Sequence, residues 1–157
     1  MGSLDSLRSF LPSPLFANPG VAGSTPTSAD DLRFPELFRE LAWTADCDLV
    51  LHPSAFVRDA TFDCYHTFVT TRAVENGVYM LSVNYAGDDF GDSIAVPPWV
   101  GPVPGFAEAF RPVSIGTEEG VVPITVDSRA LSAVRSTFPY RRDVSPTLAK
   151  PKAQRVV

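Results

Sequence analysis

The spacing of apolar residues changes repeatedly along the chain, and each change marks a structural boundary. Through residue 30 the sequence is rich in Ser, Pro, Gly, Ala and Thr and holds neither helical nor strand periodicity, which predicts a flexible lead-in. From Pro35 onward Leu37, Phe38, Leu41, Ala42 and Ala45 fall on one helical face. Pro35 suits the first helical position and Glu36 suits the positive N-terminal end, so a helix of about three turns is expected. Asp48 to Pro53 is a short apolar run bounded by polar residues, the pattern of a strand buried on both faces. A second helix is predicted from Tyr65 to Asn76, ended by Gly77, which tolerates the left-handed conformation that closes helices. Strands follow at Tyr79–Tyr85 and Ser93–Val96, the latter stopped by Pro97 and Pro98. A Pro- and Gly-punctuated loop is expected up to Glu119, then a strand at Val121–Val126 that Pro123 pushes toward an edge. Asp127 or Ser128 can cap a last helix through Arg135 that buries Ala130, Leu131 and Val134, and beyond Pro139 an extended basic tail is expected. No internal repeat is visible. Helices and strands in this order describe an α/β layered protein.

Composition narrows the possible partners. A chain of 157 residues with 45% apolar residues can form one domain with a core. Asp and Glu number 18 against 13 Lys and Arg, which disfavours nucleic acid, since phosphate binding rests on clustered cations. The only lysines are Lys150 and Lys152, both in the tail. Every hydrophobic run is broken well short of the roughly 18 residues that a membrane-spanning helix requires. Cys47 and Cys64 are the only cysteines, and without a secretion signal that count favours reduced thiols and a cytoplasmic setting. Met1-Gly2-Ser3-Leu4-Asp5-Ser6 fits the loose myristoylation pattern, but that pattern is short and common, and a plain disordered start is the better reading.

Several short blocks carry more specific information. Asp31-Leu32-Arg33-Phe34-Pro35-Glu36 opens the first helix, and Pro53-Ser54-Ala55-Phe56 ends the first strand. His66 leads to Arg72-Ala73-Val74-Glu75-Asn76. Asn84 is followed by Gly87, then by Gly91-Asp92-Ser93, and Glu118-Glu119-Gly120-Val121 precedes Asp127 and an Arg-bearing helix. Together, in this order, these blocks resemble the carbon-nitrogen hydrolase (nitrilase) superfamily, from Asp31 to Leu148 and over the C-terminal half of a member only. The resemblance implies an α/β fold that is part of an α-β-β-α sandwich, in which two sheets pack face to face with helices outside. The expected organisation is a lead-in at 1–30, half of a hydrolase domain at 31–148 and a basic tail at 149–157. Members of the family hydrolyse nitriles, amides or N-carbamoyl compounds, using a cysteine thiolate, a glutamate that moves protons and a lysine that stabilises developing negative charge.

Carried over residue by residue, the resemblance leaves no catalytic residue. Ala29 stands at the nucleophile position, no lysine precedes Lys150, and the first glutamate is Glu36, at the helix start. What remains is pocket wall. Arg33 resembles an arginine that approaches a substrate carboxylate, or else pairs with Asp31 or Glu36. Pro53, Ser54 and Asn84 end strands beside the implied substrate site, and Asn84 suits a turn cap as well. Arg72 and Glu75, three apart on one helical face, have the spacing of a structural ion pair.

Other chemistry has little footing. Cys64 and His66, with Asp63 beside them, are two residues apart and diverge on a helix. His52 and His66 are the only imidazoles, too few for a metal site, and Gly101 and Gly105 sit among prolines that cannot donate to phosphate. No metal and no cofactor is expected. Half a sandwich exposes apolar strand faces, so the expected partner is a second copy or a full-length family member, with a small amide or nitrile as possible ligand.

Overall fold

The computed structural model describes residues 29–144. The expected lead-in up to residue 28, Gly2 included, and the lysine-bearing tail lie outside the described residues, whereas Ala29 and Asp30, expected in the lead-in, belong to the first turn.

A 3-10 turn at Ala29–Arg33 plants Leu32 in the core with no exposed surface. Pro35 then starts helix α1, Pro35–Arg39, which widens into a π-helical turn at Glu40–Thr44. The Ala45 amide reaches back five residues to the Glu40 carbonyl (3.1 Å). That extra residue rotates everything after it. Phe38, Leu41 and Ala42 stay buried as their spacing predicts, whereas Ala45, expected on the same face, is exposed.

Four strands follow in chain order across one sheet: β1 at Leu49–Pro53, β2 at Tyr79–Val83, β3 at Ile94–Val96 and β4 at Val113–Ser114. β1 and β2 are parallel, with Val50 opposite Met80 and His52 opposite Ser82; β2–β3 and β3–β4 are antiparallel. The parallel pair needs a crossover, which helix α2, Cys64–Asn76, supplies. Gly77 closes α2 at φ +60°, as its position predicts.

Side chains alternate between the two faces of the sheet. Val50, His52, Met80, Ser82, Ile94 and Val96 point to one face and are buried, the apolar ones packing with Phe38, Leu41, Tyr65, Val69 and Ala73 of the helices. The other face carries Leu49, Leu51, Leu81 and Ala95, all only partly covered, with Val83 60% and Val113 45% exposed. β1 is therefore covered fully on one face and half-covered on the other, not buried on both. Cover on the open side is confined to one end, where the Asp127 amide at the start of helix α3, Ser128–Thr137, donates to the Tyr79 hydroxyl (3.2 Å). Asp127 caps α3 by accepting from the Arg129 amide (2.8 Å), and Ala130, Leu131 and Val134 are its buried residues.

Three expectations need correction. The segment read as loop up to Glu119 contains β4, whereas Val121–Val126 pairs with nothing and Val121 is 96% exposed. β4 already occupies the free edge of β3, and Pro123 brings no amide to a ladder. Directly after Pro139 the described chain is not extended: helix α4 occupies Tyr140–Asp143.

Candidate functional site

In parallel arrangements, ligands are held outside the carboxyl ends of the strands, and there β1 delivers Pro53 and Ser54 while β2 delivers Asn84. Pro53 is exposed, whereas Ser54 is buried and its amide donates to the Val83 carbonyl (2.8 Å), carrying the strand pairing one step further.

Asn84 binds this end of the sheet together. Its Oδ1 accepts from the Phe56 amide, and its Nδ2 donates to the Phe56 and Gly91 carbonyls, each at 2.9 Å. Its own amide donates to Ser93 Oγ (2.9 Å). Gly91 sits at φ +82°, and a Cβ there would lie 2.8 Å from Thr117 Cα, so glycine is required by both conformation and space. Arg58 closes the rim: its Nε donates to the Phe90 carbonyl (3.0 Å), its Nη2 pairs with Asp92 (2.7 Å), and its guanidinium lies 4.2 Å from the Phe62 ring centroid.

Arg33 and Glu36 are both exposed, with no ion pair between them. Hydrogen bonds from Thr61 hold the Asp59 carboxyl below its usual range, and Arg33 contributes a smaller electrostatic pull in the same direction. Arg72 is buried, as helical spacing does not require: its Nη1 pairs with Glu75 (2.8 Å) and its Nε donates to the Leu32 carbonyl (3.1 Å). It thereby ties the turn that begins at Ala29 to α2.

The Cys64 thiol and the His66 imidazole are not hydrogen-bonded to each other. Cys64 is exposed at the start of α2, and His66 Nε2 lies 2.7 Å from the Asp92 carbonyl oxygen. Among the described residues, no three His, Cys, Asp or Glu side chains converge as a metal site, and no helix is long and apolar enough to cross a membrane. A cleft of about 500 Å³ lined by Arg39, Thr70, Thr71, Val74, Glu75 and Tyr140 involves none of the strand-end residues.

Sequence reasoning missed a polar cluster beneath the strand ends. His52 Nδ1 and the Tyr65 hydroxyl each lie 2.7 Å from Ser82 Oγ, and all three residues are essentially without solvent contact. The available signal was their register, since His52 and Ser82 occupy inward positions on neighbouring strands. Burial raises the Tyr65 phenol above its usual value of 10.0, and the hydrogen bond to Ser82 works against that. Burial also raises Tyr79. The folded protein thus retains these protons where the unfolded chain releases them, so their contribution to stability is complete below pH 10 and is lost as pH rises through the folded values. Chemical denaturation between pH 9 and about 11 is expected to show this fall, and Tyr65→Phe to make it shallower.

No protein-family model matches the chain. It is 33% identical to the human omega-amidase NIT2 over 118 residues, 71% of this chain and 39% of that protein. The chain thus spans about two-fifths of the length of that relative. A carbon-nitrogen hydrolase from Helicobacter pylori superposes with a TM-score of 0.65 at 19% identity, over 78% of this chain and 46% of the other. A cysteine-to-alanine variant of the amidase from Nesterenkonia sp. AN1, in complex with butyramide, superposes with a TM-score of 0.56 at 26% identity, over 85% and 48%. Sequence and fold together place this chain in the carbon-nitrogen hydrolase (nitrilase) superfamily.

Proposed function

We propose that this chain is a carbon-nitrogen hydrolase scaffold that retains one wall of a site for a small amide, nitrile or N-carbamoyl compound and does not hydrolyse it alone. The observation that carries this reading is Ala29. It stands in place of the nucleophile, directly before a block that otherwise reads as the family's, and no lysine occurs before residue 150. A methyl group has no lone pair with which to attack carbon. The Nesterenkonia relative supports separating binding from turnover, since it was captured with butyramide after a cysteine had been replaced by alanine. In this reading Ser54 and Pro53 border the ligand, Asn84 holds the wall in shape, and Arg33 lies at the exposed edge, where it can meet a substrate carboxylate.

The second role is association, favoured by the half-covered sheet face. Leu51, Leu81, Ala95 and Val113 lie side by side across all four strands, with Val83 beside them and no charged residue on these strand positions. Face-to-face packing of sheets is the usual way to cover such a surface. The partner is a second copy or a full-length relative. Light scattering of the purified chain is expected to report a dimer or larger species, and a monomer persisting at high concentration contradicts this role.

A further inference from the structure

Asn76 and Gly77 form the only Asn-Gly pair in the chain. Glycine lacks the Cβ that would shield its own nitrogen, so in an open chain that nitrogen reaches the asparagine Cγ and closes a cyclic imide. The fold blocks this at each atom involved. The Gly77 N–H is committed to the Ala73 and Val74 carbonyls that end α2. Asn76 Nδ2, the nitrogen that would leave, donates to the Arg72 carbonyl (2.9 Å). Asn76 Oδ1 is buried without a hydrogen-bond partner, so no donor is in place for the negative charge that attack would develop there.

The cover over this pair comes from α3. Arg135 Nε donates to the Gly77 carbonyl (3.0 Å), and the Arg135 stem lies against Gly77, where a Cβ would sit 3.5 Å from its Cγ. The same guanidinium donates to Asp48 Oδ1 (2.6 Å) and to the Cys47 carbonyl (3.1 Å). One side chain thus fastens α3 over the start of β1 and the end of α2.

We infer that Asn76–Gly77 is a self-modification site that the docking of α3 through Arg135 keeps closed. Local opening of α3 and the last turn of α2 releases the Gly77 N–H. Its nitrogen gives its proton to solvent base and bonds to Asn76 Cγ, the Cγ–Nδ2 bond breaks, and the side-chain nitrogen leaves as ammonia. Water then opens the imide at either of its carbonyls, leaving aspartate or isoaspartate. A water enters and an ammonia leaves overall, with no oxidant or reductant. The change runs one way, so it records opening. It also removes the donor to the Arg72 carbonyl and sets a second carboxylate beside Glu75, whose Oε1 lies 3.5 Å from Asn76 Nδ2.

The test is peptide mass spectrometry of the full chain held at mildly alkaline pH over days, counting aspartate and isoaspartate at residue 76. Arg135→Met keeps the stem and removes the guanidinium. It is expected to speed modification about tenfold, the factor for an opening made easier by roughly 1.4 kcal/mol. Asn84→Ala weakens the opposite end of the sheet and controls for general loss of stability; it is expected to leave the rate at residue 76 unchanged. Equal acceleration in the two variants, or none in folded Arg135→Met, overturns the inference. If Arg135→Met does not fold, Tyr79→Phe carries the test, because it removes the hydroxyl that accepts from the Asp127 amide at the start of α3. Faster modification there supports the inference, and the native rate overturns it.

Discussion

Replacing Asn84 with alanine is expected to destabilise the fold by about 3 kcal/mol, from three hydrogen bonds lost at about 1 kcal/mol or more each. The side chain is buried and serves three backbone groups on two segments: the Phe56 amide and carbonyl and the Gly91 carbonyl. Water cannot readily replace it, so the truncation leaves a donor and two acceptors buried. Asn84→Asp keeps the shape and the acceptor for the Phe56 amide, but sets a carboxylate oxygen against two carbonyls where an N–H₂ stood. It is expected to cost at least as much at neutral pH. Urea denaturation measures both as a drop in midpoint at constant slope. A loss below about 1 kcal/mol for Asn84→Ala would mean that the clasp is not what shapes this end of the sheet.

Arg72→Ala is expected to cost a similar amount, about 3 kcal/mol, at the low end of the range for removing one partner of a buried ion pair. The low end applies because the Glu75 side chain keeps 26% of its exposure and regains water more easily than a fully enclosed carboxylate. The consequence extends beyond stability. Arg72 Nε is a hydrogen-bond donor to the Leu32 carbonyl, and its guanidinium lies 6.0 Å from the Phe38 ring centroid, so it joins the Ala29–Arg33 turn to the helical layer. Amide hydrogen exchange in residues 31–34 is expected to quicken in Arg72→Ala more than in Glu75→Gln, which keeps the guanidinium. Equal exchange in the two variants would separate the turn from this anchor.

The ends of elements were legible where one residue's chemistry decides them. Pro35 at a helix start, Gly77 at φ +60° and Asp127 as a side-chain cap are all where local rules put them. Features that depend on distant chain were not legible. Nothing in Glu40–Thr44 announces a π-helical turn, so apolar spacing alone puts Ala45 on a face it does not share. Val121–Val126 has the composition of a strand, but the place beside β3 is taken by Val113–Ser114, and strand propensity without a free edge forms no ladder. The apolar run in β1 implied cover on two sides, since composition records what a face can bury and not whether anything covers it. At the site, the blocks carrying Ser54 and Asn84 were readable as strand ends. The link between Tyr65, Ser82 and His52 needed the register of two strands and the phase of a helix at once.

In the function proposed above, this chain carries the scaffold of an amide-directed hydrolase without the means of turning over its substrate. The direct measurement is ammonia release from butyramide by the purified 157-residue chain, followed at high protein concentration over many hours. The expected result is a rate equal to that of buffer, unchanged in Cys64→Ala. Release above background that disappears in Cys64→Ala would contradict the claim and identify the exposed thiol of α2 as a nucleophile.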